Sequence, residues 1–590
     1  MKNIFIRFVV ISLAITTFSC SDGEDGIDGV DGVNGFNEGL EYLVFAGDIT
    51  DDEAAQIALE NKGKKTHTVL VINTTNLTTL NLSGISGLIR LEVRDNENLQ
   101  SLSLPDLESV VEDIEVYSNS ALSTLNFENL GTINSLFVEG NTALTSINLG
   151  AMTTVTRLDF EVNPALETLS FPALTTLERL NIETSENLSN LDISNLETAG
   201  TLSIEKTMLS QINFPGLQTL GGLFIEDNEN LQTINIPSVT NTPEDGASFT
   251  IEDNVNLTTV SLGSLNKLDR LSVEDNENLT SFEANSVVTI TDNFSLDNNP
   301  RLLTFAMPNL VTCNSRISVR QSNLTTIRFD SLETVEGGIN FSENPELVAL
   351  EFPNLSTTSG ITILENQKLT TVQFDGLVTM GTSLTISNNP ALESLSFSGL
   401  TTLGTPDIRN FLSITNNSLI NSVNFSSLTT LNGGCSITGN SALVSISFPS
   451  LTTVTGSDTF TDLRINNNTS ITSIAFPSLE TLTSIRNLEI SENLLENVDF
   501  SNLSTFDRLT INSSVLLTSV NLSSVVDFTS IDILGIGGLS TPVIDQILAR
   551  LVSITPAITG KRIRLRGDLS AQGATDRDTL VANGNSVSIF

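Results

Sequence analysis

The chain is short of the residues that do most protein chemistry. Its 590 residues include one histidine, His67, no tryptophan, and two tyrosines, Tyr42 and Tyr117. This sets aside histidine-based metal sites and histidine acid–base catalysis, along with any sugar site built on tryptophan platforms. Cysteine is also scarce. Cys313 and Cys435 sit far apart in the apolar rhythm of the chain and read as small buried hydrophobes, not as a disulfide framework. Basic residues are few: 27 lysines and arginines against 69 acids leave a net charge of −42 and a pI near 4.1. Such a chain repels nucleic acid and anionic membrane surfaces, while basic proteins and divalent cations remain as partners. Hydrophobic residues make up 39% of the chain, enough for a core, so the acidity does not imply disorder. There is no G-x-S-x-G elbow, phosphate loop, zinc spacing or dinucleotide fingerprint.

What is present is a repeat. Units such as LDRLSVEDNENLTSFEA (268–284) and GTSLTISNNPALESLSF (381–397) share the frame L-x-I-x-x-N-x-x-L-x-x-L-x-F. The aliphatic residue after the asparagine box recurs from Leu77 through Leu257, Leu392 and Ile471 to Leu517, in twenty coils mostly 22 or 23 residues apart. Each coil has two short alternating stretches, one of L-x-I and one of L-x-F type, and alternation of this kind predicts half-buried strands. Stacked coil on coil at about 4.8 Å, twenty coils give a rod of roughly 90–100 Å. Residues 44–50 and 51–62 predict a strand and a helix at one end. Pro542, the basic run KRIRLRG (561–567) and SVSIF predict a helix, a strand, a short helix and a last strand at the other.

The L-x-x-L-x-V-x-x-N of 268–276 resembles the leucine-rich repeat consensus, and the L-x-F-P stretches resemble the receptor L-domain. The pattern is also similar to leucine-rich surface proteins of Bacteroidetes. The resemblance covers about 67–540. It implies an all-β dominated, right-handed parallel β-helix-like solenoid with small α/β caps and a binding or adhesive role. It brings no catalytic residues.

The N-terminus reads as an address. Residues 1–19 carry Lys2 and Arg7 around a short apolar run, a secretory signal too short to span a membrane. The Ser19-Cys20 junction resembles a bacterial lipoprotein cleavage site, which implies lipidation of Cys20. The acidic, glycine-spaced SDGEDGIDGVDGVNG then reads as a flexible tether and resembles surface-export signals of Bacteroidetes lipoproteins. The expected organisation is therefore signal peptide 1–19, lipidated tether 20–40, N-terminal cap 41–66, solenoid 67–540 and C-terminal cap 541–590, on the outer face of the outer membrane.

Function in a solenoid lies where coils differ, and three departures stand out. The residue after the core aliphatic of the L-x-I strand is outward-facing by alternation. In eight consecutive coils it is Glu139, Glu161, Glu183, Glu205, Glu226, Glu252, Glu274 and Asp297. Elsewhere the column holds residues such as Arg94, Tyr117 and Arg320. Three coils add a second acid, Asp227, Asp253 or Asp275, and like charges stacked this way repel. Such a column fits a solvated face, a basic protein partner or bound Ca²⁺, whose oxygen ligands carboxylates supply. No loop matches a dedicated calcium motif, and the acidic columns lack an aromatic partner. Next come insertions at 242–248, 404–411 and 455–462, all between the Thr-Leu corner and the next L-x-I strand, hence on one edge. Last are hydroxyl and amide columns: one running Thr79, Thr124, Thr168; one running Thr176, Thr219, Thr312; and Asn228, Asn254, Asn276. They are expected to hydrogen-bond coil to coil at the corners.

These features predict a monomeric surface lipoprotein that binds an extracellular protein or glycan without catalysis and touches the membrane only through its lipid. A carbohydrate-active β-helix enzyme and a passive envelope spacer are the alternatives.

Overall fold

The computed structural model describes residues 38–406, 410–456, 461–512 and 517–590. The signal segment, Cys20, most of the tether, and the middles of the second and third insertions lie outside the described residues. The rest is a parallel β-solenoid. Its principal sheet has 33 strands, many rungs being split in two, and these make 24 rungs. Twenty belong to the coils legible in the sequence. The others are Tyr42–Gly47, Asp527–Ile533, Arg562–Leu565 and Ser586–Ile589, which carry the sheet into both ends.

Alternation explains each rung. In Lys267–Glu274, Leu268, Leu271 and Val273 are fully buried while Ser272 and Glu274 are half-buried on the outer face. The L-x-F stretches form a second wall, but not a continuous one. It consists of separate parallel sheets of six, five, five and four strands. The first two breaks fall at coils that have lost one corner residue: Thr207-Met208-Leu209 and Ser322-Asn323-Leu324 replace the regular spacing seen in Asn228–Leu231. The third break, between Ser422–Asn424 and Ser445–Ser447, has no counterpart in the corner spacing.

Two ladders hold the coils in register. The asparagine column runs from Asn96 to Asn493, each member essentially without solvent exposure. Asn254 is representative. Its N–H donates to Asn276 Oδ1 (3.2 Å), and its Nδ2 donates to the carbonyls of Ile225 and Glu252 (2.9 Å each). Corner backbone that leaves a strand needs such partners, because a buried orphan carbonyl or N–H costs about 1–3 kcal/mol. Where the column holds Thr207 or Ser322, the hydroxyl donates to the next asparagine (2.6 and 2.7 Å). The second ladder is aromatic. Phe329, Phe352, Phe374, Phe397, Phe425, Phe448, Phe476 and Phe500 stack with centroids 5.0–5.6 Å apart.

The threonine columns are in register as expected, but neighbouring residues make most of the coil-to-coil hydroxyl bonds. Thr175, Thr401, Thr429 and Thr452, one position earlier, donate to carbonyls of the preceding coil. Column residues lie within strands, where the backbone is already paired.

The ends are capped by helices. The first, Asp51–Asn61, begins at a capping box of Thr50 and Glu53. Burial works against ionisation of Asp51, but hydrogen bonds from Thr78 and Thr79 outweigh it and hold the carboxyl down to about 2. The far end carries helices Thr541–Val552 and Ala571–Ala582. No helix among the described residues is long and apolar enough to cross a membrane. Cys313 and Cys435 are free and buried, and burial pushes their thiols up to about 11 and about 12.

Candidate functional site: a file of carboxylates on the outer sheet face

Strand register brings the eight predicted acids together. Glu139 pairs with Glu161, which pairs with Glu183, and the file continues through Glu205, Glu226, Glu252 and Glu274 to Asp297. It is bounded by Tyr117 on one side and Arg320 on the other. Parallel strands sit about 4.8 Å apart, so the file is about 34 Å long. Most of its members are half-buried by their neighbours above and below. The electrostatic consequence is visible at several positions. Desolvation, then the charges of Glu274 and Glu226, raises the Glu252 carboxyl above its ordinary range. Asp253 is raised likewise by burial and by Asp275 and Asp227. Asp297 is raised chiefly by burial, although Ser318 donates to it (2.9 Å).

The second acids have a local reason that the repulsion argument missed. Asp227, Asp253 and Asp275 have φ of 55–56°, the left-handed corner that precedes each ladder asparagine. Asp, Asn and Gly adopt this conformation most readily. The backbone therefore favours these second acids without requiring them, since the same corner also holds Val162, Thr184 and Lys206.

One notch in the file already holds a cation. At the corresponding corner of an adjacent coil stands Lys206, with its ammonium bonded to Glu205 and 3.3 Å from Asp227 of the next coil. An open cavity lies beside it, where the missing corner residue lets Glu186 and Asn187 on one side and Glu229 and Asp253 on the other stand past Met208.

The expectation that the acids lack aromatic company does not hold. Tyr117 heads the file, and Phe137 and Phe224 stand two residues before Glu139 and Glu226 on the same outward face. The phenylalanines that occupy outward positions are few, and core periodicity hid them. Arg157 lies over the Phe137 ring, 5.0 Å from its centroid, and also grips Asp159. Asn181 Nδ2 donates to Asp159 (2.8 Å) and Glu161 (3.0 Å). Burial, Asp159 and the flanking Glu183 and Glu139 together push Glu161 up to about 7. No spacing rule in the sequence flags this cluster, because Phe137 and Asn181 come from the rungs flanking the one that carries Arg157, Asp159 and Glu161.

The described parts of the three insertions flank the same edge, between the Thr-Leu corner strands and the long strands. The first is tied down by Thr291, which donates to the Asp245 carbonyl (2.7 Å). For calcium, no three or more carboxylate, histidine or cysteine side chains among the described residues are grouped to hold a metal ion.

Parallel rungs, an asparagine ladder and a phenylalanine stack together define the architecture. The fold is a leucine-rich-repeat-like β-solenoid. No family model and no curated protein matches the chain. Among solved structures it is similar to a leucine-rich repeat protein from Bacteroides ovatus, at 11% identity over 73% of this chain and 87% of that one, with a TM-score of 0.28. It is also similar to YopM from Yersinia enterocolitica, at 18% identity over 79% and 87%, TM-score 0.19. A third is the functional domain of InlJ from Listeria monocytogenes, at 16% identity over 66% and 74%, TM-score 0.18. Superpositions this loose bear on neither ligand nor partner.

Proposed function

We propose that the chain is a surface-displayed binding scaffold, exported by residues 1–19 and anchored through lipid at Cys20, that offers its carboxylate file to a cationic extracellular protein. The observation that carries this reading is the unbroken run of eight in-register acids on the outer face of a rigid sheet. The fold tolerates Arg94, Ser342, Leu364 and Ser387 at equivalent rungs, so it does not demand carboxylates there. Repeat solenoids use extended surfaces of this kind for recognition. A line of like charge also raises the encounter rate with an oppositely charged partner. Lys206, held between Glu205 and Asp227, illustrates how carboxylates of two adjacent coils receive one ammonium group.

The test is a screen of residues 40–590 against extracellular-protein and glycan arrays, with and without calcium. A protein hit that weakens with salt and is lost on neutralising Glu226, Glu252 and Glu274 supports the reading. Hits indifferent to both overturn it. For the anchor, Cys20→Ser should abolish incorporation of labelled palmitate and release the chain from the membrane fraction.

A second reading rests on the Tyr117–Phe137–Arg157–Asp159–Glu161 cluster. An aromatic ring, a buried carboxylate paired with a partly exposed guanidinium, and a carboxyl that titrates near neutrality are the parts of a saccharide-processing site. Glycan turnover abolished by Glu161→Gln would favour that reading; glycan binding without turnover would not.

A further inference from the structure

The C-terminal cap reverses the charge of the chain. Residues 541–590 hold one lysine and five arginines against four aspartates, in a protein whose net charge is −42. Where the cap meets the last coils there is a cavity of about 500 Å³ with Arg486, Arg508 and Lys561 on its walls. It lies on the edge from which the insertions emerge, since Ser484, Thr505 and Thr529 belong to the same stretch between corner and long strand.

The three cations are not equivalent. Lys561 is committed to Asp527 (2.5 Å) and is only 19% exposed. Arg562 and Arg564, on the same cap strand, are both held by the buried Asp532 (2.7 Å each). Arg508 is exposed and makes no side-chain hydrogen bond or ion pair with any described residue. In strand register it stands beside Ser530, which stands beside Arg562. The Ser530 hydroxyl is buried, the residue being 3% exposed, and has no hydrogen-bond partner. A buried hydroxyl without a partner is uncommon and calls for an explanation. Ser530 borders the cavity without lining it; the other polar groups that line it are Asp507, Asp527, Ser484, Thr505 and Thr529. Its floor is the stacked pair Phe506 and Phe528, with centroids 5.6 Å apart.

We propose that this cavity binds an acidic saccharide, with a carboxylate or sulfate received by Arg508 and sugar hydroxyls donated to Asp507 and Asp527. The combination selects the class. An oxyanion needs donors, and the arginine supplies them in a fixed fork. Asp507 beside it needs a hydrogen-bond donor, and Asp527, already bonded to Lys561, can accept a further one; a saccharide acid carries such donors and a run of acidic peptide side chains does not. The site is separate from the carboxylate file and does not depend on the partner proposed for it.

The experiment is calorimetry of the mature chain with tetragalacturonate, with a sulfated disaccharide, and with inorganic sulfate as the minimal probe. An octaglutamate peptide serves as the competing class. Binding of either saccharide should weaken at least tenfold in Arg508→Gln and remain unchanged in Arg328→Gln, many coils away. Circular dichroism should show that both variants keep the solenoid. The uronate and sulfate arms identify which oxyanion is preferred, and a response to either supports the site. No saturable saccharide binding by the unaltered chain, equal binding by Arg508→Gln, or binding of octaglutamate alone would each overturn it.

Discussion

Neutralising the middle of the carboxylate file should stabilise the protein. In the double variant Glu252→Gln/Asp253→Asn, Glu252 no longer faces Glu226 and Glu274, and Asp253 no longer faces Asp227 and Asp275. Asparagine is as suited as aspartate to the left-handed corner at 253, so the backbone is undisturbed. Two unit charges about 5 Å apart repel by about 0.8 kcal/mol in a water-like dielectric, and physiological salt roughly halves this. Four such pairs then amount to about 2 kcal/mol. The pH dependence follows from the raised carboxyls. A folded carboxyl that holds its proton more tightly than the unfolded one adds stability below its ordinary pKa, and that contribution is lost as pH rises through the folded value. The ordinary values are 4.5 and 3.8 for Glu252 and Asp253. The variant should therefore match the parent near pH 3 and exceed it at pH 7. Thermal unfolding followed by circular dichroism should show a gain of about 2 °C at pH 7, shrinking in 1 M salt. A loss of stability at pH 7, or a gain that persists at pH 3, would refute the view that the file opposes folding and is kept for another reason.

Three further outcomes are expected. Asn366→Leu removes donors to the Phe341 carbonyl and Asn389, and an acceptor for the Asn344 N–H. Urea unfolding should show a loss of about 3 kcal/mol or more; a loss under 1 kcal/mol would mean that the ladder is dispensable. Phe374→Ala interrupts the aromatic stack between Phe352 and Phe397 and should cost about 3–5 kcal/mol. Amide exchange should speed up in the flanking coils first, because each coil contacts only its neighbours. Carbon-13 NMR of labelled glutamate should place Glu161 near 7, and a value in the ordinary carboxylate range would remove the basis for the saccharide-processing reading.

Much of this architecture is legible in the sequence because one residue can be read against its counterpart 22 or 23 positions away. The recurrence of Leu257, Leu279 and Leu302 gives the coil, and strict alternation in Leu271-Ser272-Val273-Glu274 places the acid outside. Features that depend on the turn between strands are harder to read. Asp227 looks like a second acid in a repulsive pair until the backbone shows a left-handed corner that favours it. Tyr117, Phe137, Arg157 and Glu161 come together only because parallel register stacks three rungs, and each alone looks like an ordinary outward residue. The lost corner residue at Thr207–Leu209 is visible as a 21-residue spacing between Leu188 and Leu209, and it marks the place where the second wall breaks. The basic cap run KRIRLRG is plain in the sequence, but its meeting with Arg508 is a matter of tertiary packing.

The central claim is that the carboxylate file receives a cationic partner, and titration of the mature chain with octalysine tests it most directly. Calorimetry at 50 and 300 mM salt should show saturable binding that weakens steeply with salt and falls at least tenfold when Glu226, Glu252 and Glu274 are all changed to glutamine. Binding that survives the three substitutions, or no binding at low salt, would contradict the account and leave the file as a solubilising face.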